Sequence, residues 1–288
     1  MDVQKPTPRK PAALRRPPKR SRFRRVLLFL FSLVLLLGIA AATALVAGYY
    51  YISADLPKIN SLKDYRPPII SKVYADDNRV IAEFFKERRI VVALSEVPPL
   101  LVQAFIAAED SRFYQHQGFD PVGMLRALLK NLEAGTIKQG GSTITQQVTR
   151  SFLLSPERSY IRKIKELILS YRIEKSFTKD EILFLYLNQI YLGHGAYGVE
   201  AAAQNYFGKS AKALSLAECS MLAGLPQAPS RYSPFRHPDQ ARQRQLYVLN
   251  RMVDEGYITA REAAEAREVV LDIKPRRNIY IEEVPYYT

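Results

Sequence analysis

The chain is predicted to be mainly α-helical, with a small N-terminal β region preceded by one transmembrane helix. Three observations carry this. First, helix punctuation recurs from Ser95 onward: the capping-box pattern stands at Thr178–Glu181, Ser215–Glu218 and Thr259–Glu262, and Asp120-Pro121 is a cap followed by a first-position proline. Second, there is no internal repeat and no βαβ alternation, which argues against a Rossmann or P-loop enzyme. Third, no charged residue occurs from Val26 to Ala54. About 20 apolar residues span a bilayer, so that run crosses with some tilt.

The elements follow in order. Residues 1–25 hold ten Lys/Arg and one Asp among many prolines, so they read as a disordered basic tail. They account for +9 of the +14 net charge and leave +5 for the remainder. Residues 26–52 form the membrane helix. Tyr49, Tyr50 and Tyr51 supply an interfacial aromatic belt, and the Arg/Lys cluster sets the other side as cytoplasmic. A cleaved signal peptide is the competing reading, because Ala40-Ala41-Ala42 resembles a cleavage site. The apolar run continues well past it, and the n-region is long and Pro-rich, which favours an anchor.

Residues 53–94 are a Pro-containing linker followed by an alternating Val/Ile/Phe-rich stretch, from Ile69 to Leu94, that reads as two or three short strands. Residues 95–256 are the helical core. Helices are expected over Leu100–Ala108, from Asp120 to near Gly135, from Ser142 to about Phe152, from Ser159 to about Phe177, and over Pro238–Glu255 closed by Gly256, with a turn at Ser155-Pro156-Glu157. Residues 257–288 hold a last helix and, from Asn278 to Thr288, a strand that reads as the start of a further domain. The lone Cys219 lies in an apolar pattern and is expected to be a small buried hydrophobe.

The stretch from Ala107 to Gln147 breaks this regular pattern. Glu109-Asp110 place two carboxylates at a helix C-terminus, the negative end of its dipole. Rules broken locally without local compensation mark functional sites. Gly140-Gly141 then run into a helix start carrying Gln146 and Gln147, an arrangement that leaves backbone N–H groups open toward an anion. Glu109 is the leading catalytic candidate. A solvated helix end is the plainer reading, but Asp110, Arg112, Phe113, His116 and Gly118 follow it. The second acid is Glu166, in Arg162-Lys163-Ile164-Lys165-Glu166, where three cations beside one carboxylate suit an anion site. Arg150 and Arg158 extend that cluster. Two carboxylates and a basic groove suit a sugar hydroxyl attacking with a phosphate leaving group: one acid takes the proton, and fixed cations stabilise the departing charge. Two acids alone do not separate glycosyl transfer from glycoside hydrolysis.

At these residues the chain resembles a known family. EDSRFYQHQG (109–118), GGSTITQQ (140–147), RKIKE (162–166) and KDEILFLYLNQIYLG (179–193) are similar, in order, to the motifs of family 51 glycosyltransferases. These are the peptidoglycan polymerase domains of class A penicillin-binding proteins and of monofunctional transglycosylases. Residues 198–235 and the helix bearing Arg242, Arg244 and Val248-Leu249 are also similar, so cover runs from about Tyr65 to Gly256.

The resemblance implies a lysozyme-like fold and lipid II as substrate. Glu109 matches the catalytic base that activates the acceptor 4-hydroxyl, with inversion at C1 of the donor and release of undecaprenyl pyrophosphate. Glu166 matches the second essential carboxylate, flanked by Lys163 and Lys165. Arg150, Arg158 and Arg162 belong with the cations on the pyrophosphate side; Ser142, Gln146 and Gln147 line the cleft. Asp110, Phe113, His116, Gly118 and Asn188 match motif positions with structural roles. No cofactor is expected to be required, with room for magnesium or manganese near the pyrophosphate. The expected partners are lipid II, the growing glycan strand, the bilayer and other cell-wall synthesis proteins, and not nucleic acid, since most of the charge is on the tail. The expected location is the bacterial inner membrane, N-terminus inside and catalytic body outside. A lipid-linked substrate further suggests an exposed apolar patch on that body.

Ser176-Phe177-Thr178-Lys179 spells the Ser-x-x-Lys of a transpeptidase, but no Lys-Thr-Gly follows, so the match is read as accidental. The chain is therefore expected to encode no penicillin-binding chemistry and to be a piece of a bifunctional protein. A muramidase-like hydrolase and an idle cell-wall scaffold are the rival functions. The cation cluster speaks against the first, and both glutamates speak against the second.

Overall fold

The structure, a computed structural model, describes residues 20–57, 59, 71–74, 76, 80–84, 88–135, 140–154 and 159–273. The chain falls into two compact units, Met1–Asp55 and Leu56–Thr288. Arg158, the Ser155–Glu157 turn, the first 19 residues and the strand expected from Asn278 to Thr288 lie outside the described residues.

The first unit contributes helix α1 (Arg20–Ala54), 35 residues long and about 50 Å at 1.5 Å per residue. Leu, Val, Phe and Ala side chains are exposed along it, and it is long and apolar enough to cross a membrane. It begins at Arg20, six residues before the apolar run, so part of the basic segment is helical. Arginine favours helix nearly as well as leucine, which lets the apolar helix propagate back into the tail.

In the second unit, β1 (Ser71–Tyr74) and β2 (Val80–Phe84) pair antiparallel, Ser71 opposite Phe84, with a bulge at Val73/Tyr74. β3 (Arg88–Arg89) pairs in parallel with β4 (Ala196–Tyr197), and the Arg89 guanidinium lies 5.4 Å from the Tyr197 ring centroid. The helices build the core. α2 (Pro99–Glu109) buries Leu101, Ala104, Phe105, Ile106 and Ala107, and packs on α8 (Leu216–Gly224) and α9 (Pro238–Asp254). Each fully buried Leu or Phe contributes about 1.5–3 kcal/mol of hydrophobic transfer, so α2 is the hub. α4 (Ile144–Leu153) packs on α5 (Tyr160–Ser176) and α6 (Lys179–Gln189). α7 (Val199–Phe207) packs beside β4, and α10 (Ala260–Glu268) closes against α9. Cys219 is buried in α8, where burial pushes its thiol up to about 12.

Two helix starts decide where site residues point. α3 (Pro121–Ala134) begins and ends as expected, with Gly135 left-handed at φ 62°, yet Asp120 makes no side-chain cap and instead meets Arg112 at 3.2 Å. α4 is capped by Thr143 rather than Ser142. The Thr143 hydroxyl accepts from Gln146 N and the Gln146 side chain accepts from Thr143 N, a closed capping box. Ser142 is thereby left outside the helix. α3 also leaves Val122, Leu125, Leu128, Leu129 and Leu132 exposed along one side.

Candidate active site

α2 ends in two adjacent carboxylates with opposite fates. Asp110 is buried, and its Oδ2 accepts from the Ile144 backbone N–H at 3.0 Å while the His116 Nε2 lies within 2.9 Å. It thus sits at the N-terminus of α4, where a negative charge is stabilised, and this offsets its unfavourable position at the end of α2. The expectation that the N-terminal amides of α4 face a substrate anion is corrected here: Asp110 takes the Ile144 amide and Thr143 takes that of Gln146. Gln146, read as lining the cleft, is fully buried for the same reason, its carbonyl oxygen spent on the cap.

Glu109 faces a cavity of about 200 Å³ whose wall includes Ser142, Gln147, Arg150, Arg244, Tyr247 and Arg251. Gln147 Nε2 donates to Glu109 Oε2 at 2.9 Å, and Arg244 Nη2 lies 3.7 Å from Oε1. The side chain is 12% exposed. Burial holds its carboxyl above the usual carboxylate range, partly offset by the Gln147 hydrogen bond and by the charges of Arg244 and Arg150. A smaller recess that shares Glu109 and Ser142 with this cavity is bounded by Arg112, Asp120, Arg126 and Gly140–Thr143.

Glu166 lies on α5, 1% exposed, and does not line the Glu109 cavity. Its Oε1 is 2.5 Å from Lys163 Nζ, and Arg162 is farther, at 3.5 Å. Lys163 also donates to Ser142 Oγ at 2.9 Å, and Ser142 does line the cavity. The Glu166 pair thus reaches the site through one hydroxyl. Lys165 is half-buried on α5 and lies outside the cavity wall.

The remaining motif residues hold the loop between α2 and α3 and the start of the domain. The Gly118 carbonyl accepts from Thr143 Oγ1 at 2.7 Å; its φ is +90°, and a Cβ there would stand 2.6 Å from the Ser170 backbone, so only glycine fits. Lys179 Nζ donates to the His116 carbonyl at 2.9 Å and to Glu174 at 2.8 Å, and lies 4.3 Å from the Phe113 ring centroid. That explains the lysine of the Ser-x-x-Lys spelling without any nucleophile chemistry. Asn188 ties the Val92 backbone through both its N–H and its carbonyl, at 2.9 and 3.0 Å.

A family profile described as Transglycosylase matches residues 77–253, which include every residue of the cavity named above. The chain belongs to the transglycosylase family. Similar relatives include Penicillin-binding protein 1A of Escherichia coli, 53% identical over 76% of this chain and 26% of that protein. Penicillin-binding protein 1A of Vibrio cholerae is 46% identical over 83% of this chain and 29% of its own length. The crystal structure of Penicillin-binding protein 1A from Haemophilus influenzae matches with a TM-score of 0.43 and 28% identity, over 74% of this chain and 22% of that one. The chain spans under a third of the length of these relatives.

Tyr247 and Arg251 are site residues that the motif reading did not single out, and Arg244, named there only as part of the family resemblance, was given no site role. A signal was present, since positions 244, 247 and 251 share one face of the helix that starts at Pro238.

Proposed function

We propose that this transglycosylase polymerises lipid II into β-1,4-linked glycan by inverting transfer, releasing undecaprenyl pyrophosphate, with Glu109 as the general base. The observation that carries the proposal is the Glu109 carboxylate itself. It is 12% exposed, hydrogen-bonded among the described residues by a neutral amide on one oxygen, and raised in pKa by burial in a cavity bordered by arginines. A base poised nearer the working pH transfers protons more efficiently. The acceptor 4-hydroxyl gives its proton to Glu109, its oxygen bonds C1 of the donor sugar, and the C1–O bond breaks with its electron pair leaving on the pyrophosphate. Arg150 and Arg251 are the cations that would stabilise that charge. Glu166 acts indirectly: buried against Lys163, it fixes an ammonium group beside Ser142 at the cavity wall. Among the described residues no three His, Cys, Asp or Glu side chains gather as a metal site, and no step of this reading is assigned to magnesium or manganese.

The lipid-linked substrate accounts for two other features. α1 would anchor the chain in the bacterial inner membrane, basic end inside, and the exposed leucines of α3 suit an apolar environment such as lipid tails. The growing glycan and other cell-wall synthesis proteins are the further partners of this reading. Purified protein with labelled lipid II, followed by product sizing, is the test. Long glycan is the expected product; shortened preformed glycan would make it a hydrolase, and no change would make it a scaffold.

A further inference from the structure

Arg244 reaches the cavity from α9 and is only 9% exposed. Its Nε donates to the Gly224 carbonyl at 3.2 Å, and its guanidinium carbon lies 4.3 Å from the Tyr247 ring centroid and 5.7 Å from that of Tyr232. The stem passes over Gly224, where a Cβ would come within 2.9 Å of Arg244 Cγ. That glycine has no positive φ, so what it provides is clearance for the arginine. Its Nη2 faces Glu109 Oε1 across 3.7 Å.

An ion pair built to clamp α2 to α9 would close to the roughly 2.7–2.9 Å of a charge-assisted hydrogen bond. This one stops short, because the guanidinium is held by Gly224 and two aromatic rings. We propose that Arg244 is a positioning residue for Glu109: a fixed cation that orients Oε1 into the cavity while Gln147 holds Oε2, without occupying the lone pair that must accept the proton. The proposal rests on Glu109 being the base.

The other charges around Glu109 do not duplicate this role. Asp110 beside it is spent on His116 and Ile144. Arg150 of α4 is exposed, and Tyr186 of α6 is a buried phenol whose pKa is pushed well up by burial and by Glu109. Arg251 of α9 is paired with Glu255 at 2.6 Å and Asp254 at 3.4 Å, and Glu218 of α8 with Lys209 at 2.8 Å. Arg244 is therefore the buried cation that keeps the burial-raised pKa of Glu109 from rising further.

The test is the rate of lipid II polymerisation against pH for the full chain carrying Arg244→Gln or Arg244→Lys, with Glu109→Gln alongside and thermal melts of each. The acidic limb of Arg244→Gln is expected to move up by about one pH unit or more, with kcat falling more than KM rises, and Arg244→Lys is expected to lie between it and wild type. Folded variants with an unmoved limb, or a loss confined to KM, would overturn the proposal in favour of plain substrate contact. Failure of both variants to fold would assign Arg244 to the core and overturn it too. Wild-type activity in Glu109→Gln would sink the base reading itself, whereas an inactive Glu109→Gln beside an unmoved Arg244 limb removes only the present inference.

Discussion

Glu109 and Glu166 are two glutamates on helices of one domain, both nearly withdrawn from water, and they differ in what holds them. Glu166 is bonded at 2.5 Å to Lys163, a second cation stands at 3.5 Å, and it does not line the Glu109 cavity. Glu109 has one neutral hydrogen bond, a cation kept at 3.7 Å, and a cavity in front. The difference is one of satisfaction: in the proposed reading Glu109 serves as the base because burial, offset by a single amide hydrogen bond and a cation held off, leaves its carboxyl raised and open to a proton.

The largest effect that would sharpen this contrast is on Glu109. Glu109→Gln keeps the side chain's size and its hydrogen bond to Gln147 but cannot take a proton, so polymerisation should fall about 10²–10⁴-fold. Thermal melts should show no loss at neutral pH. With its folded-state pKa raised, Glu109 contributes stability below its unfolded pKa that is lost as pH rises through the folded value, and glutamine has no such loss. A lowered melting temperature with normal product would reverse the assignment. In wild type, the same raised pKa predicts a rate that climbs with pH above the ordinary carboxylate range, a limb absent from any residual Glu109→Gln activity.

The next effect tests the other half of the contrast. Lys163→Ala leaves Glu166 buried with only the distant Arg162, and should cost about 1–3 kcal/mol of stability. Urea unfolding measures it. An unchanged midpoint would mean that Glu166 is not held by Lys163, and the comparison would collapse. Asp110→Asn should cost about 1 kcal/mol by weakening the hydrogen bonds at His116 and the start of α4. Its product yield should fall less than that of Glu109→Gln, which separates the two neighbouring carboxylates. Smallest of all, Arg162→Ala should change stability by only about 0.5 kcal/mol, because its i,i+4 contact to the buried Glu166 is long, at 3.5 Å, and has Arg N-terminal to Glu, the poorer orientation. A loss as large as that of Lys163→Ala would show the pairing to be shared.

Much of the helical framework was legible because it is written locally. The boxes at Thr178, Ser215 and Thr259 all close as the residue pattern required, and Gly135 and Gly256 both take the left-handed conformation. Local pattern misled at Ser142, because Thr143 next to it completes a better box with Gln146. That one-residue shift buries Gln146 and sends Ser142 to Lys163. Arg244, named only as part of the family resemblance, received no site role for a different reason. One arginine in a helix holding several looks like any solvated cation, and nothing near it in sequence reveals the absent Cβ at Gly224 that lets it lie buried.

The sequence by itself determined most helix starts and stops, the apolar span of α1 and many of the chemical types gathered around Glu109, since these depend on neighbours within about four residues or on length and composition. Only the tertiary structure decided that Asp110 caps a helix 34 positions away and that Gln147 reaches Glu109 across 38. It likewise decided that Arg244 stops 3.7 Å short of the carboxylate. Those distances follow from how α2, α4, α8 and α9 pack, and packing is set by side-chain volumes meeting across helices, which no local stretch of chain encodes.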